Sequence, residues 1–167
     1  MQQAIILSST QNEESKYWTK PSNNADELEK FWQTYFNPFF NNIIKTKKVV
    51  DSGWRDQYYI YFSDGSCMYF TSSGALDITY DVNCFDKSQN IIGKDMYIFL
   101  FNNGKFTPYN WLGDIASIEP NDGGGKYSTD LNDRDNVVRL CKRDASFCTQ
   151  LLQLDDWEYK ADYPKKL

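Results

Sequence analysis

Histidine occurs nowhere in the 167 residues. Its absence removes Ser-His-Asp and Cys-His nucleophile pairs, the usual general base near neutral pH and the commonest metal ligand. The chain is therefore expected not to be an enzyme. Long apolar runs are missing too. The longest near the start is Ala4-Ile5-Ile6-Leu7, far short of the roughly 18 residues a membrane-crossing helix needs, and the start does not read as a signal peptide. Positive charge is also scarce, with 18 Lys and Arg against 23 Asp and Glu and no dense basic cluster. A phosphate backbone would find little to neutralise it, so nucleic acid is not an expected partner.

Four cysteines are present, Cys67, Cys84, Cys141 and Cys148, with no Cys-x-x-Cys spacing that would read as zinc or redox chemistry. Two disulfides are the simplest reading, and they imply an oxidising compartment. Four cysteines allow three pairings. The short loop from Cys141 to Cys148 favours that pair by proximity, leaving Cys67 with Cys84. The alternative is four buried free thiols in a reducing compartment.

At 167 residues, 41% of them hydrophobic, the chain fits one domain with a sizeable core. Residues 1–24 are polar and weakly patterned, and Lys20-Pro21-Ser22-Asn23-Asn24 is a loop by its turn-forming composition. Residues 25–167 are expected to form a single globular domain. Asn24 can cap a helix whose apolar positions Leu28, Phe31, Trp32, Tyr35, Phe36, Phe39, Phe40, Ile43 and Ile44 recur at spacings of three and four. This predicts an amphipathic helix over 26–45, kinked or divided at Pro38, which lacks an N–H. Its aromatic stripe reads as core, with Phe31, Trp32, Phe36 and Phe39 or Phe40 expected to pack on strands carrying Tyr59, Tyr61 and Met68.

From Trp54 the period changes to two, in Tyr58-Tyr59-Ile60-Tyr61-Phe62, in Ser66-Cys67-Met68-Tyr69-Phe70 and in the run from Leu76 to Val82. Ser63-Asp64-Gly65 and Thr71-Ser72-Ser73-Gly74 are the hairpin turns between them. A further strand over 94–101 turns at Asn102-Asn103-Gly104 into Lys105-Phe106-Thr107-Pro108. The result is an antiparallel meander of four or five strands. The stretch from Glu119 to Asp135 reads as a long loop, and a second short helix is expected around Ser146 to Leu154.

Between the third and fourth strands the sequence gathers oxygen donors. Asp81, Asn83 and Asp86 are candidate ligands for calcium, a hard cation that carboxylate and amide oxygens satisfy. No complete EF-hand loop is present, and the competing reading is that these side chains bond turn amides. No other cofactor is expected. Asp122-Gly123-Gly124-Gly125-Lys126 lacks the spacing of a phosphate-binding loop. Asp155, Asp156 and Glu158, like Asp130, Asp133 and Asp135, could serve as acid and base but read more simply as surface carboxylates.

Two tracts carry a resemblance. Asp81-Val82-Asn83, Asn90, Gly93-Lys94-Asp95-Met96-Tyr97-Ile98-Phe99, Gly104-Lys105 and Pro108-Tyr109 resemble a motif of pilin-like proteins that bear a prepilin-type leader. That motif runs approximately D-x-N-G-x-K-G-P-N-x-x-G-x-D-x-F-x-F and then G-K-x-x-P. Here Cys84 stands at a usual Gly, the G-P pair is missing and one residue is inserted. The stretch from Cys141 to Cys148 and on through Leu151, Trp157, Asp162, Tyr163 and Pro164 is similar to the end of the same proteins, approximately C-x-x-x-x-x-x-C-x-x-L-I-x-x-D-G-W-x-I-x-x-D-Y-P.

The resemblance to type IV pilins and type II secretion pseudopilins implies an α+β head, with an N-terminal helix packed on an antiparallel sheet and a disulfide-bound C-terminal loop. It further implies a preceding hydrophobic half-helix, anchorage in the inner membrane before assembly, and then a periplasmic or cell-surface filament built from copies of this chain or other pilin-like subunits. The alternative expectation is a secreted or periplasmic domain that recognises a glycan or protein through its aromatic sheet face.

Overall fold

The computed structural model describes residues 1–51, 53, 55–84, 90–113 and 126–165. Its class is α+β. The described residues form four α-helices, α1 (Gln2–Gln11), α2 (Ala25–Tyr35), α3 (Arg134–Arg143) and α4 (Cys148–Leu154), and a six-stranded antiparallel sheet. The strands are β1 (Ile43–Val49), β2 (Gln57–Phe62), β3 (Cys67–Ser72), β4 (Leu76–Asp81), β5 (Met96–Asn102) and β6 (Lys105–Pro108), in the order β1-β2-β3-β4-β5-β6. The chain divides into two compact units, one of residues 1–90 and 99–107, the other of residues 91–98 and 108–167.

In the first unit, α2 begins where Asn24 accepts from the amides of Asp26 and Glu27 at 2.9 and 3.2 Å. These two acidic side chains also face the positive end of the helix. Leu28, Phe31 and Trp32 form the buried stripe. The helix stops at Tyr35, short of the expected Lys45. Pro38 disfavours helical backbone at Asn37 and offers no N–H, so residues 37–39 make a single 3₁₀ turn. Ile43 and Ile44 then enter β1, where β-branched side chains fit a pleated surface.

The register pairs Tyr58 with Phe70, Ile60 with Met68 and Phe70 with Ile78. Strand alternation therefore puts Tyr58, Ile60 and Phe62 on the buried face and turns Tyr59 and Tyr61 to the other. The expectation that Tyr59 and Tyr61 meet the helix fails by one residue of register. Met68 does join the core, with Phe31, Trp32, Phe36 and Phe101. Trp18 stacks between Tyr35 and Phe101, at ring-centroid distances of 4.2 and 5.5 Å, and donates its indole N–H to the Glu13 carbonyl at 2.8 Å. The expected polar N-terminal segment contains α1, which buries Ala4, Ile5 and Ser8 in the same unit. Asn103 and Gly104, both with positive φ, form the turn between β5 and β6.

The second unit has its own core, in which Val137, Leu140, Phe147, Leu151, Leu152 and Tyr163 are buried. Residues 134–135, expected as the end of a loop, start α3. Asp133 caps it by accepting from the amides of Asp135 and Asn136. The short helix expected near Ser146 is there as a 3₁₀ turn over Ala145–Phe147 that runs into α4. Each unit is closed by one disulfide, Cys67 to Cys84 in the first and Cys141 to Cys148 in the second. No helix among the described residues is long and apolar enough to cross a membrane.

Candidate functional site

The second unit brings together residues from the two motif tracts. Gly93 adopts φ +84°, and a Cβ there would lie 2.8 Å from the Cys148 Cβ and 2.9 Å from its Sγ. Only glycine fits beside this disulfide. The Gly93 carbonyl accepts the buried Tyr163 hydroxyl at 2.5 Å. Two residues on, Asp95 accepts from the Ile91 amide at 2.6 Å through one oxygen, and its other oxygen is buried without a hydrogen-bond partner. The Tyr97 and Tyr159 hydroxyls meet each other and converge on the Lys94 carbonyl, which accepts from one of them while the other donates across the pair. Burial, more than any neighbour, raises the Tyr97 and Tyr163 phenols above the usual tyrosine range.

Asp162, Tyr163 and Pro164 follow a charged clamp. Arg134, at the first turn of α3, grips the buried Asp155 at 2.6 and 2.9 Å and the exposed Asp162 at 2.8 Å through two nitrogens. Lys160 adds a third contact to Asp155 at 2.8 Å. The Arg134 hydrogen bonds hold Asp155 below the ordinary carboxylate range and depress Asp162 to about 2. Trp157 is exposed and closes the end of α4, its amide bonding the Leu152 carbonyl at 2.7 Å. Asn90 is exposed as well, and Pro164 is half-buried in the last described turn. Three of the six carboxylates considered for acid and base work are used locally: Asp133 caps α3, Asp130 accepts from the Asn132 amide and Asp155 sits in the clamp.

Two of the three calcium candidates lie in the first unit. Asp81 is buried and accepts from the Asn83 amide at 3.0 Å, the hydrogen bond of an Asx turn. The Asn83 side-chain oxygen is buried without a hydrogen-bond partner. Asp86 falls outside the described residues, as does the Gly123-Gly124-Gly125 loop. The Asp81 carboxylate also lies within 4.8 Å of the sulfurs of Cys67 and Cys84. Joined in a disulfide, those sulfurs offer no thiolate to a metal.

The first unit carries two surfaces fit for contacts. On the sheet, Tyr59 stacks on Tyr69 and Tyr61 at centroid distances of 4.8 and 5.9 Å, with the Lys45 ammonium over Tyr61 at 5.5 Å. Burial pushes the Tyr59 phenol up to about 12, so these hydroxyls remain protonated donors at neutral pH. The second surface is the outer stripe of α1, formed by Gln2, Gln3, Ile6, Leu7, Thr10 and Gln11. Ile6 and Leu7 are 66% and 51% exposed, and α1 contains no charged residue.

Comparison with known proteins matches one family model along the whole chain, residues 1–167. The chain belongs to DUF6613, a family of unknown function. No curated protein and no solved structure matches it. Sequence reasoning passed over Arg134, Asp155 as an ion-pair partner, and the outer stripe of α1. A signal existed for the first: Asp133 precedes Val137, Leu140 and Cys141, a cap followed by apolar positions at helical spacing.

Proposed function

We propose that this chain is a structural subunit of an extracytoplasmic bacterial filament, a type IV pilus or a type II secretion pseudopilus, acting by assembly rather than catalysis. The observation that carries this reading is the outer stripe of α1, where Ile6 and Leu7 stand exposed on a helix without charge. An uncharged helix face with exposed aliphatic side chains favours burial against another helix, because apolar area leaves water and no ion is desolvated. Two disulfides fit an oxidising compartment, and the pilin-like C-terminal tract supplies residues that knit the second unit together. A photo-crosslinking amino acid at Leu7, in the host that makes the protein, tests it. Crosslinked multimers of this chain or of other pilin-like subunits are expected, with far fewer when the probe sits at the exposed Lys142. A monomer after illumination at Leu7 refutes it.

A second reading, recognition of a glycan or protein, is favoured by the Tyr59, Tyr61 and Tyr69 stack. These rings use much of their faces on one another, so the surface would offer hydroxyl edges more than open ring planes. Glycan-array binding that is lost in Tyr61→Ala would support this second reading.

A further inference from the structure

The sheet has two edges, and they are unequal. β6 is four residues long and ends in Pro108, a residue that cannot donate to a ladder. β1 is seven residues long, pairs only with β2 in the sheet order, and has every residue from Ile44 to Lys48 exposed. Past a register irregularity between Ile43 and Lys45, its outer main-chain groups have no partner among the described residues and are a template for one more strand. Its side chains restrict which strand fits. Lys45 stands opposite Tyr61 and Lys47 opposite Tyr59, so both ammonium groups project on the tyrosine face two residues apart. Among the described residues neither forms an ion pair. Lys48 lies on the other face and is already bound to Asp26 and Glu29 of α2 at 2.8 and 2.9 Å. The lysine segment is flanked by exposed apolar residues, Ile44 at 60% and Val50 at 77%.

We propose that β1 is a docking edge for an extended acidic segment of a partner protein, which adds to the sheet as an outer strand. Carboxylates at alternate positions of that segment face Lys45 and Lys47, and apolar residues at its ends cover Ile44 and Val50. Charge selects the occupant. A second copy offering its own β1 would set lysine against lysine, which is destabilising for directly opposed like charges, whereas an acidic strand gains two complementary contacts and a run of main-chain hydrogen bonds. This assignment is independent of the filament reading, since it concerns the sheet edge and not α1.

Fluorescence anisotropy with a labelled peptide of four Glu-Val repeats tests the proposal at low salt. The peptide should bind at least tenfold more tightly than four Lys-Val repeats. The exposed pair K45E/K47E should reverse that preference while circular dichroism remains unchanged. The same acidic peptide with every backbone amide N-methylated should bind at least tenfold more weakly, because it cannot donate to the edge. Equal binding of the N-methylated peptide, no binding of the acidic peptide, or no effect of K45E/K47E would overturn the proposal. So would a wild-type dimer in sedimentation that K45E/K47E dissociates, which would make the occupant a second copy.

Discussion

Asp156 and Trp157 have φ of 54° and 65°, a left-handed turn that closes α4. Side chains with a Cβ reach this region at a cost of roughly 1 kcal/mol. Asp156→Gly is expected to raise stability by about 0.5–1 kcal/mol, the gain offset in part by the freer unfolded chain. Gly93→Ala should move the other way. Its new methyl would press on the Cys148 side chain in a backbone conformation that alanine resists, costing about 2 kcal/mol or more. One series of denaturant titrations on both variants checks the pair. Equal midpoints for Gly93→Ala and wild type would mean that Gly93 is not confined by the disulfide.

At the scale of elements, Trp32 of α2 and Phe36 just after it are fully buried and both meet Phe70 of β3. Phe36→Ala should cost about 3–5 kcal/mol, because transfer energy is lost and a cavity remains. A loss below about 1 kcal/mol in thermal or chemical unfolding would contradict this packing. The clamp that joins α3 to the C-terminal tail predicts a pH response of definite sign. Asp155 and Asp162 have folded pKa values below their unfolded ones. The contribution of Asp162 is therefore present above about pH 4 and is lost as pH falls towards about 2, and that of Asp155 is likewise lost on acidification below its unfolded value. The protection of α3 amides, measured relative to their intrinsic exchange rate at each pH, should fall over that interval, and less so in Arg134→Gln, where the clamp is already open. The hairpins between β2, β3 and β4 were legible because alternation and turn residues agree there. β1 was not, since Ile43 and Ile44 continue the three-and-four spacing of the aromatic run beyond Pro38, and only the backbone consequence of that proline separates strand from helix. α1 has almost no contrast between polar and apolar faces and no side-chain cap, so its helicity depends on the unit it packs in, whereas the mostly polar α3 is capped by Asp133.

For the whole molecule, the sequence conveyed the α+β class, and the pairing favoured by loop proximity is the one the two disulfides adopt. The site was legible only in pieces. Gly93 and Tyr163 stood out through a resemblance, whereas the contact between them, across 70 positions, is a tertiary fact that no local pattern encodes. The helix that carries Arg134 had a signal in its Asp133 cap, but the ion pairs of Arg134 had none, as its partners lie 21 and 28 positions away. The proposed assembly is tested most directly by the composition of filaments sheared from the surface of cells that make this protein, separated from soluble periplasmic material and analysed by mass spectrometry. This chain is expected in the filament fraction, and is expected to be lost from it in an Ile6→Glu, Leu7→Glu double variant that still folds. Recovery of the wild-type chain only as a soluble monomer, with filaments that lack it, would rule out assembly.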